Sequence, residues 1–118
     1  MDVLLLCDDL IFTSRVAGTA SAAGLTMRAM KSERELLDAA HRLAPRCVIV
    51  DLNITREITA TVNALKALPR VPQIVGYGSH VDVETLKKAR DAGCAVVWPR
   101  SKFVEELPTA LPEWCAAP

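Results

Sequence analysis

Cys47-Val48-Ile49-Val50-Asp51 is four apolar residues in succession closed by a carboxylate. A strand with one wet face alternates apolar and polar side chains; a short run without alternation fits a strand covered on both faces, as in a parallel sheet flanked by helices. Val3-Leu4-Leu5-Leu6-Cys7 has the same form and runs into Asp8-Asp9. Two buried strands that each end on acid point to an α/β domain with chemistry gathered at one edge of its sheet.

The remaining segments alternate in the same way. Val16, Ala17, Ala20 and Ala23 recur at helical spacing, with Thr13 or Ser14 placed to cap the helix and Gly24 to end it. Leu25 to Met30 reads as a weaker strand. Ser32 and Glu35 have capping-box spacing ahead of Leu36, Leu37, Ala40 and Leu43, and Pro45 closes that second helix. Ile54, Ile58, Val62, Leu65 and Leu68 trace a third helix that Pro69 ends. Gln73 to Tyr77 is a fourth strand, Asp82 caps a fourth helix that Gly93 stops, and Ala95 to Trp98 is a fifth strand. Beyond Pro99 the composition is helical, but Pro108 and Pro112 predict a last helix that is short, kinked or in two pieces.

Length and composition fit one such domain over residues 1–118. A chain of 118 residues buries roughly two thirds of its unfolded surface, enough for one core. The sequence is 51% hydrophobic but 4% aromatic, so that core is aliphatic. Fourteen basic and fourteen acidic residues cancel, which gives no electrostatic basis for nucleic acid or an anionic membrane as partner. The run from Val3 to Leu6 lacks the basic flank and length of a signal peptide, and no segment is long enough to span a bilayer, so a cytoplasmic protein is expected. Cys7, Cys47, Cys94 and Cys115 form no C-x-x-C pair and are expected as free thiols.

Asp8 and Asp9 follow the first strand, Asp51 ends the third, and Arg100 lies just beyond the fifth. Carboxylates that converge repel by about 1 kcal/mol or more per pair, so a cluster of them calls for a cation. A hard divalent ion, Mg²⁺ by preference, accepts one or two carboxylates with water and phosphoryl oxygens completing its shell.

From Val3 to about Leu107 the pattern resembles the receiver domain of bacterial response regulators. The resemblance implies a CheY-like, flavodoxin-like doubly wound sheet of five parallel strands in the order 2-1-3-4-5, with helices on both faces. It implies Asp51 as phosphoacceptor, with Mg²⁺ held by Asp8, Asp51 and the main-chain carbonyl of Asn53. The family's conserved lysine matches Arg100, and Arg-Asp-Ala-Gly-Cys at 90–94 is similar to the family's turn into the fifth strand. Histidine kinases, phosphotransfer proteins or effectors are the partners implied. The face of the fourth helix, fifth strand and last helix, which here carries Lys87, Lys88 and Arg90, is the family's output and homodimer surface.

Departures from the family pattern weaken the switch. Cys7 stands for the first acid of the usual pair, leaving Asp9 as the nearby substitute. Arg100 replaces lysine, and its planar fork differs from an ammonium in reach. Ser101 replaces the proline that follows. The switch hydroxyl falls on Gly78, with Ser79 next to it, and the switch aromatic on Val97, with Trp98 next to it. The loop after Asp51 lacks a Pro-Gly turn.

The expectation is therefore a divergent or pseudo-receiver, a non-enzymatic protein-interaction module of two-component signalling. The alternative is a working Mg²⁺-dependent phosphoacceptor. Gly76-Tyr77-Gly78 is expected as a turn rather than a phosphate loop, and His41 and His80 as surface residues. Leu10 stands where a haloacid-dehalogenase phosphatase needs a second acid, and the segment after the first strand lacks a flavin-phosphate loop.

Overall fold

The computed structural model describes residues 1–116. Five strands alternate with five helices: β1 (Val3–Leu6), α1 (Leu10–Ala22), β2 (Met27–Met30), α2 (Glu33–Leu43), β3 (Cys47–Asp51), α3 (Ile58–Lys66), β4 (Gln73–Gly78), α4 (Val83–Ala92), β5 (Val96–Pro99) and α5 (Arg100–Trp114). All strand pairs are parallel and the order is β2-β1-β3-β4-β5. The α/β sheet expected from the two acid-ended runs is observed, in the doubly wound order that the receiver resemblance implies.

β1 and β3 are buried along their whole length because each face of the sheet carries its own apolar layer. Leu4, Leu6, Val48 and Val50 pack with Leu36, Val62 and Leu86, under α2, α3 and α4. Val3, Leu5, Cys47 and Ile49 pack with Val16, Phe103 and Leu107, under α1 and α5. This period-two division fixes which residues at the carboxyl edge share a face.

The structure corrects two expected helices. α1 starts four residues early: Asp9, not Thr13 or Ser14, is its N-cap, and its carboxylate accepts the N–H groups of Ile11 and Phe12 at 2.9 and 3.1 Å. Leu10 and Ile11 in the first turn are 74% and 81% exposed, so the apolar stripe begins only after the helix does. α5 is one unbroken helix of 15 residues with Pro108 and Pro112 inside it. Each proline removes one N–H donor, and both lie on the exposed face opposite Phe103, Leu107 and Leu111, where water can serve the freed carbonyls.

Other termini match their signals. Ser32 Oγ accepts the Glu35 N–H at 3.1 Å, and Asp82 Oδ1 accepts that of Thr85 at 3.2 Å. Gly24 and Gly93 take φ of 73° and 108° at the ends of α1 and α4, a region that favours glycine. Ile54 and Leu68 lie outside α3, which is shorter than its apolar stripe.

Candidate functional site

The carboxyl edge of the sheet is built from the residues that end β1, β3, β4 and β5. Register pairs Leu6 with Val50, Asp51 with Tyr77, and Tyr77 with Trp98. Cys7 follows Leu6 as Asp51 follows Val50, so Cys7, Asp51, Tyr77 and Trp98 form a row across the sheet on the α1/α5 side.

Asp51 is the centre of this row. It is 4% exposed, and its Oδ1 accepts the Asn53 N–H at 2.9 Å and faces Arg100 Nη2 at 3.9 Å. Its main-chain carbonyl accepts the Thr55 hydroxyl at 2.8 Å and the Ile54 N–H at 3.2 Å, which folds the chain sharply after the strand. Burial pushes the Asp51 carboxyl above the ordinary carboxylate range; the Asn53 N–H and the Arg100 charge oppose it, and the charge of nearby Asp8 adds to it.

Arg100 is the first residue of α5. Its half-exposed guanidinium turns back over the sheet edge, 5.9 Å from the ring centroids of both Phe12 and Tyr77. The cation expected here is thus present, but it comes from the helix. The strand position in line with Asp51 and Tyr77 is Trp98, which packs on Trp114 at 5.4 Å.

Tyr77 is the residue that sequence reasoning missed. It is fully buried, and its ring packs in a triangle with Phe12 and Phe103, at centroid distances of 4.6 and 4.7 Å from them. Its hydroxyl lies near Cys7 and the Asp51 carboxylate, close enough to favour the ionised acid, yet it makes no hydrogen bond. Gly78, where the switch hydroxyl was expected, faces the opposite layer: a Cβ there would meet Leu52 and Leu86 side chains at 3.4 Å. Gly76-Tyr77-Gly78, expected as a turn, instead completes β4, where its glycines make room for Leu52 against the strand.

The other expected residues fall as follows. Asp8 is exposed. Asp9 is committed to capping α1. Asn53 is exposed beside Asp51, with its N–H engaged by that acid. Ser79 is exposed; its Oγ accepts the Val81 N–H at 3.4 Å, and with His80, Arg100, Ser101 and Val104 it lines an open cleft of about 530 Å³. Val97 faces the α2/α3/α4 layer and Trp98 the opposite one.

Asp8, Asp9 and Asp51 do not assemble into a three-acid centre: among the described residues no group of three or more His, Cys, Asp or Glu could hold a metal. Mg²⁺ is bound through one or two carboxylates with several waters, but Asp51 already has a guanidinium as counter-charge and an N–H on one oxygen. As arranged, both contacts fall on Oδ1, so the second oxygen of Asp51 and the carboxylate of Asp8 are the groups that would hold a Mg²⁺ ion.

A second carboxylate outside the row shapes the site. Glu33, the first residue of α2, accepts the N–H of Arg56 at 2.8 Å, that of Glu57 at 3.2 Å, and the hydroxyl of Thr61. It caps α3 from another helix and ties down the end of the loop that follows Asp51.

No family model matches the sequence, and no curated protein is similar to it at significant level. Solved structures are similar over almost the whole chain. A receiver domain from Bermanella marisrubri superposes with a TM-score of 0.84 at 13% identity, covering 98% of both chains. The receiver domain of a sensor histidine kinase from Pseudomonas aeruginosa, whose structure holds a magnesium ion in the active-site cleft, superposes with a TM-score of 0.81 at 14% identity, again over 98% of both. NtrX from Brucella abortus matches with a TM-score of 0.81 at 22% identity over 97% of this chain, which spans about a quarter (26%) of that protein. Strand order, helix placement and these superpositions agree, and the chain has the fold of response-regulator receiver domains.

Proposed function

We propose that this chain is a receiver-like module of two-component signalling that acts by protein–protein contact, without phosphoryl transfer to Asp51. The observation that carries the proposal is the state of the acid. Asp51 is buried, faced by Arg100 at 3.9 Å and backed by the packed ring of Tyr77, where a phosphoacceptor needs exposed oxygens, a metal and a small movable hydroxyl. The rim favours contact with protein: Leu10 and Ile11 at the start of α1, and Val81 and Val83 beside the start of α4, are at least 65% exposed around the same edge. A signalling protein such as a histidine kinase, a phosphotransfer protein or an effector is the partner class that this fold brings with it.

A second reading, a Mg²⁺-dependent phosphoacceptor, is favoured by one observation. Exposed Asp8 lies near enough to Asp51 to influence its ionisation, and the two could share a cation if Arg100 swung outward. Incubation with Mg²⁺ and a small phosphodonor or beryllofluoride, followed by intact mass and tryptophan fluorescence, separates the readings. The expected result is no adduct and no Mg²⁺-dependent change of fluorescence. An adduct abolished by Asp51→Ala would replace the first reading with the second.

A further inference from the structure

At the opposite, amino-terminal edge of the sheet, two thiols converge. Cys47 opens β3 and is fully buried; Cys115 follows the last residue of α5 and is 4% exposed. The main-chain carbonyl of Asp2 accepts the main-chain N–H of Cys47 at 3.0 Å and the S–H of Cys115 at 3.9 Å, so one acceptor holds the backbone of the first cysteine and the thiol of the second. Arg46, the neighbour of Cys47, donates to the Cys115 carbonyl at 3.2 Å and pairs with Asp2 at 3.8 Å, fastening the end of α5 to the start of β3. The Cys47 and Cys115 side chains lie in one apolar cluster, close enough for each to alter the other's ionisation.

We infer that Cys47 and Cys115 form a peroxide-oxidisable pair, closing to a disulfide that staples the end of α5 beneath β3. Their roles differ. The neighbouring Cys47 thiol holds the Cys115 thiol below its ordinary range, with Arg46 assisting against the opposing effects of burial and Asp2. The neighbouring Cys115 and burial push the Cys47 thiol up. Cys115, 4% exposed at the end of α5 while Cys47 is fully buried within the sheet, is the sulfur nearer to solvent and the one that attacks. Its thiolate displaces hydroxide from hydrogen peroxide to give a sulfenic acid. Cys47, losing its proton, then attacks that sulfur, and the S–O bond breaks as the S–S bond forms. In sum two thiols and one peroxide give one disulfide and two waters, with two electrons passing from sulfur to peroxide oxygen.

The other two cysteines lack these features. Cys94 is pushed up to about 11 by burial. Cys7, on the acid-bearing edge, is 2% exposed and directs its S–H to the Asp9 carbonyl at 3.7 Å.

The test is oxidation of the reduced, folded chain with a small excess of hydrogen peroxide, then alkylation, intact mass and peptide mapping. The expected product has lost two hydrogens, contains a peptide linking Cys47 to Cys115, and keeps Cys7 and Cys94 open to alkylation after denaturation. Dithiothreitol should reverse it. In Cys47→Ala the reaction should stop at a sulfenic acid on Cys115 that dimedone traps. The oxidised wild type should melt about 5–10 °C higher, because the bridge closes a long loop, and amides in the last turn of α5 should exchange more slowly. A bridge through Cys7 or Cys94, a wild-type product left as sulfenic or sulfinic acid with Cys47 still free, a bridge formed only in denaturant, or a lower melting temperature would each overturn the inference.

Discussion

At the scale of single residues, Tyr77 carries an apparent contradiction: its ring is among the best-packed in the core, while its hydroxyl has no hydrogen bond. A buried hydroxyl without a partner costs about 1–3 kcal/mol relative to a satisfied one, and the aromatic stack with Phe12 and Phe103 offsets that cost. Tyr77→Phe keeps the stack and removes the oxygen. Urea unfolding should show it as stable as the wild type or up to ~1 kcal/mol more stable; a clear loss would mean that the hydroxyl is bonded to Asp51. Asp51 and Arg100 were legible in the sequence because strand ends advertise themselves, an acid after one apolar run and a cation after another. Tyr77 was legible only in part. Its place at the end of the fourth strand was readable but its face was not: the glycines on either side carry no alternation, and a shift of one residue moves every side chain to the other face of a sheet.

At the scale of elements, the starts of the helices do the positioning. Asp9 illustrates how a carboxylate beside a candidate metal site can have a purely local task, since Ile11 and Phe12 donate to it and Phe12 in turn supports Tyr77. Asp9→Ala should lower stability by about 1 kcal/mol, as loss of an N-cap does, and speed amide exchange at Ile11 and Phe12. The loss should be the same with and without Mg²⁺, whereas a metal ligand would show its effect only with the ion present. The caps of α2 and α4 could be read in advance because Ser32 and Asp82 directly precede amphipathic turns. That of α1 could not, because its first turn exposes Leu10 and Ile11. The prolines of α5 misled for a related reason: helix breaking is a statement about unpaired carbonyls, and whether water reaches them depends on which face packs.

For the molecule as a whole, two aspartates at opposite edges of the sheet give opposite responses to pH. Asp2 is held below its ordinary range, chiefly by the Thr26 N–H, with Arg46 assisting. Its contribution is present above the unfolded carboxylate range and is lost as pH falls through its lower folded value. Asp51 is raised by burial, so the folded state keeps a proton that the unfolded chain has released, and stability falls as pH rises from the unfolded to the folded value. Asp51→Asn should therefore match the wild type near pH 3 and gain stability on approach to pH 7, by up to about 1 kcal/mol. Thermal melts across that range check the sign; a loss at neutral pH would show that the pair with Arg100 outweighs burial. The architecture itself was legible because five alternations of buried strand and helix permit few arrangements. The geometry around the acid was not, because it depends on contacts between elements far apart in the chain.

Glu33, bonded to Arg56, Glu57 and Thr61, is one such contact at this edge, and it gives the acid two jaws of different ownership. Arg100 rides on α5, in the layer with α1; the loop from Leu52 to Glu57 is bolted by Glu33 to α2, in the layer beneath the sheet's other face. A partner that grips α1 and α5 moves one jaw and leaves the other fixed. If α5 shifts with its Arg100 while Glu33 holds the loop, the gap over Asp51 widens, so the exposure of a single carboxylate would report movement between the two helical layers.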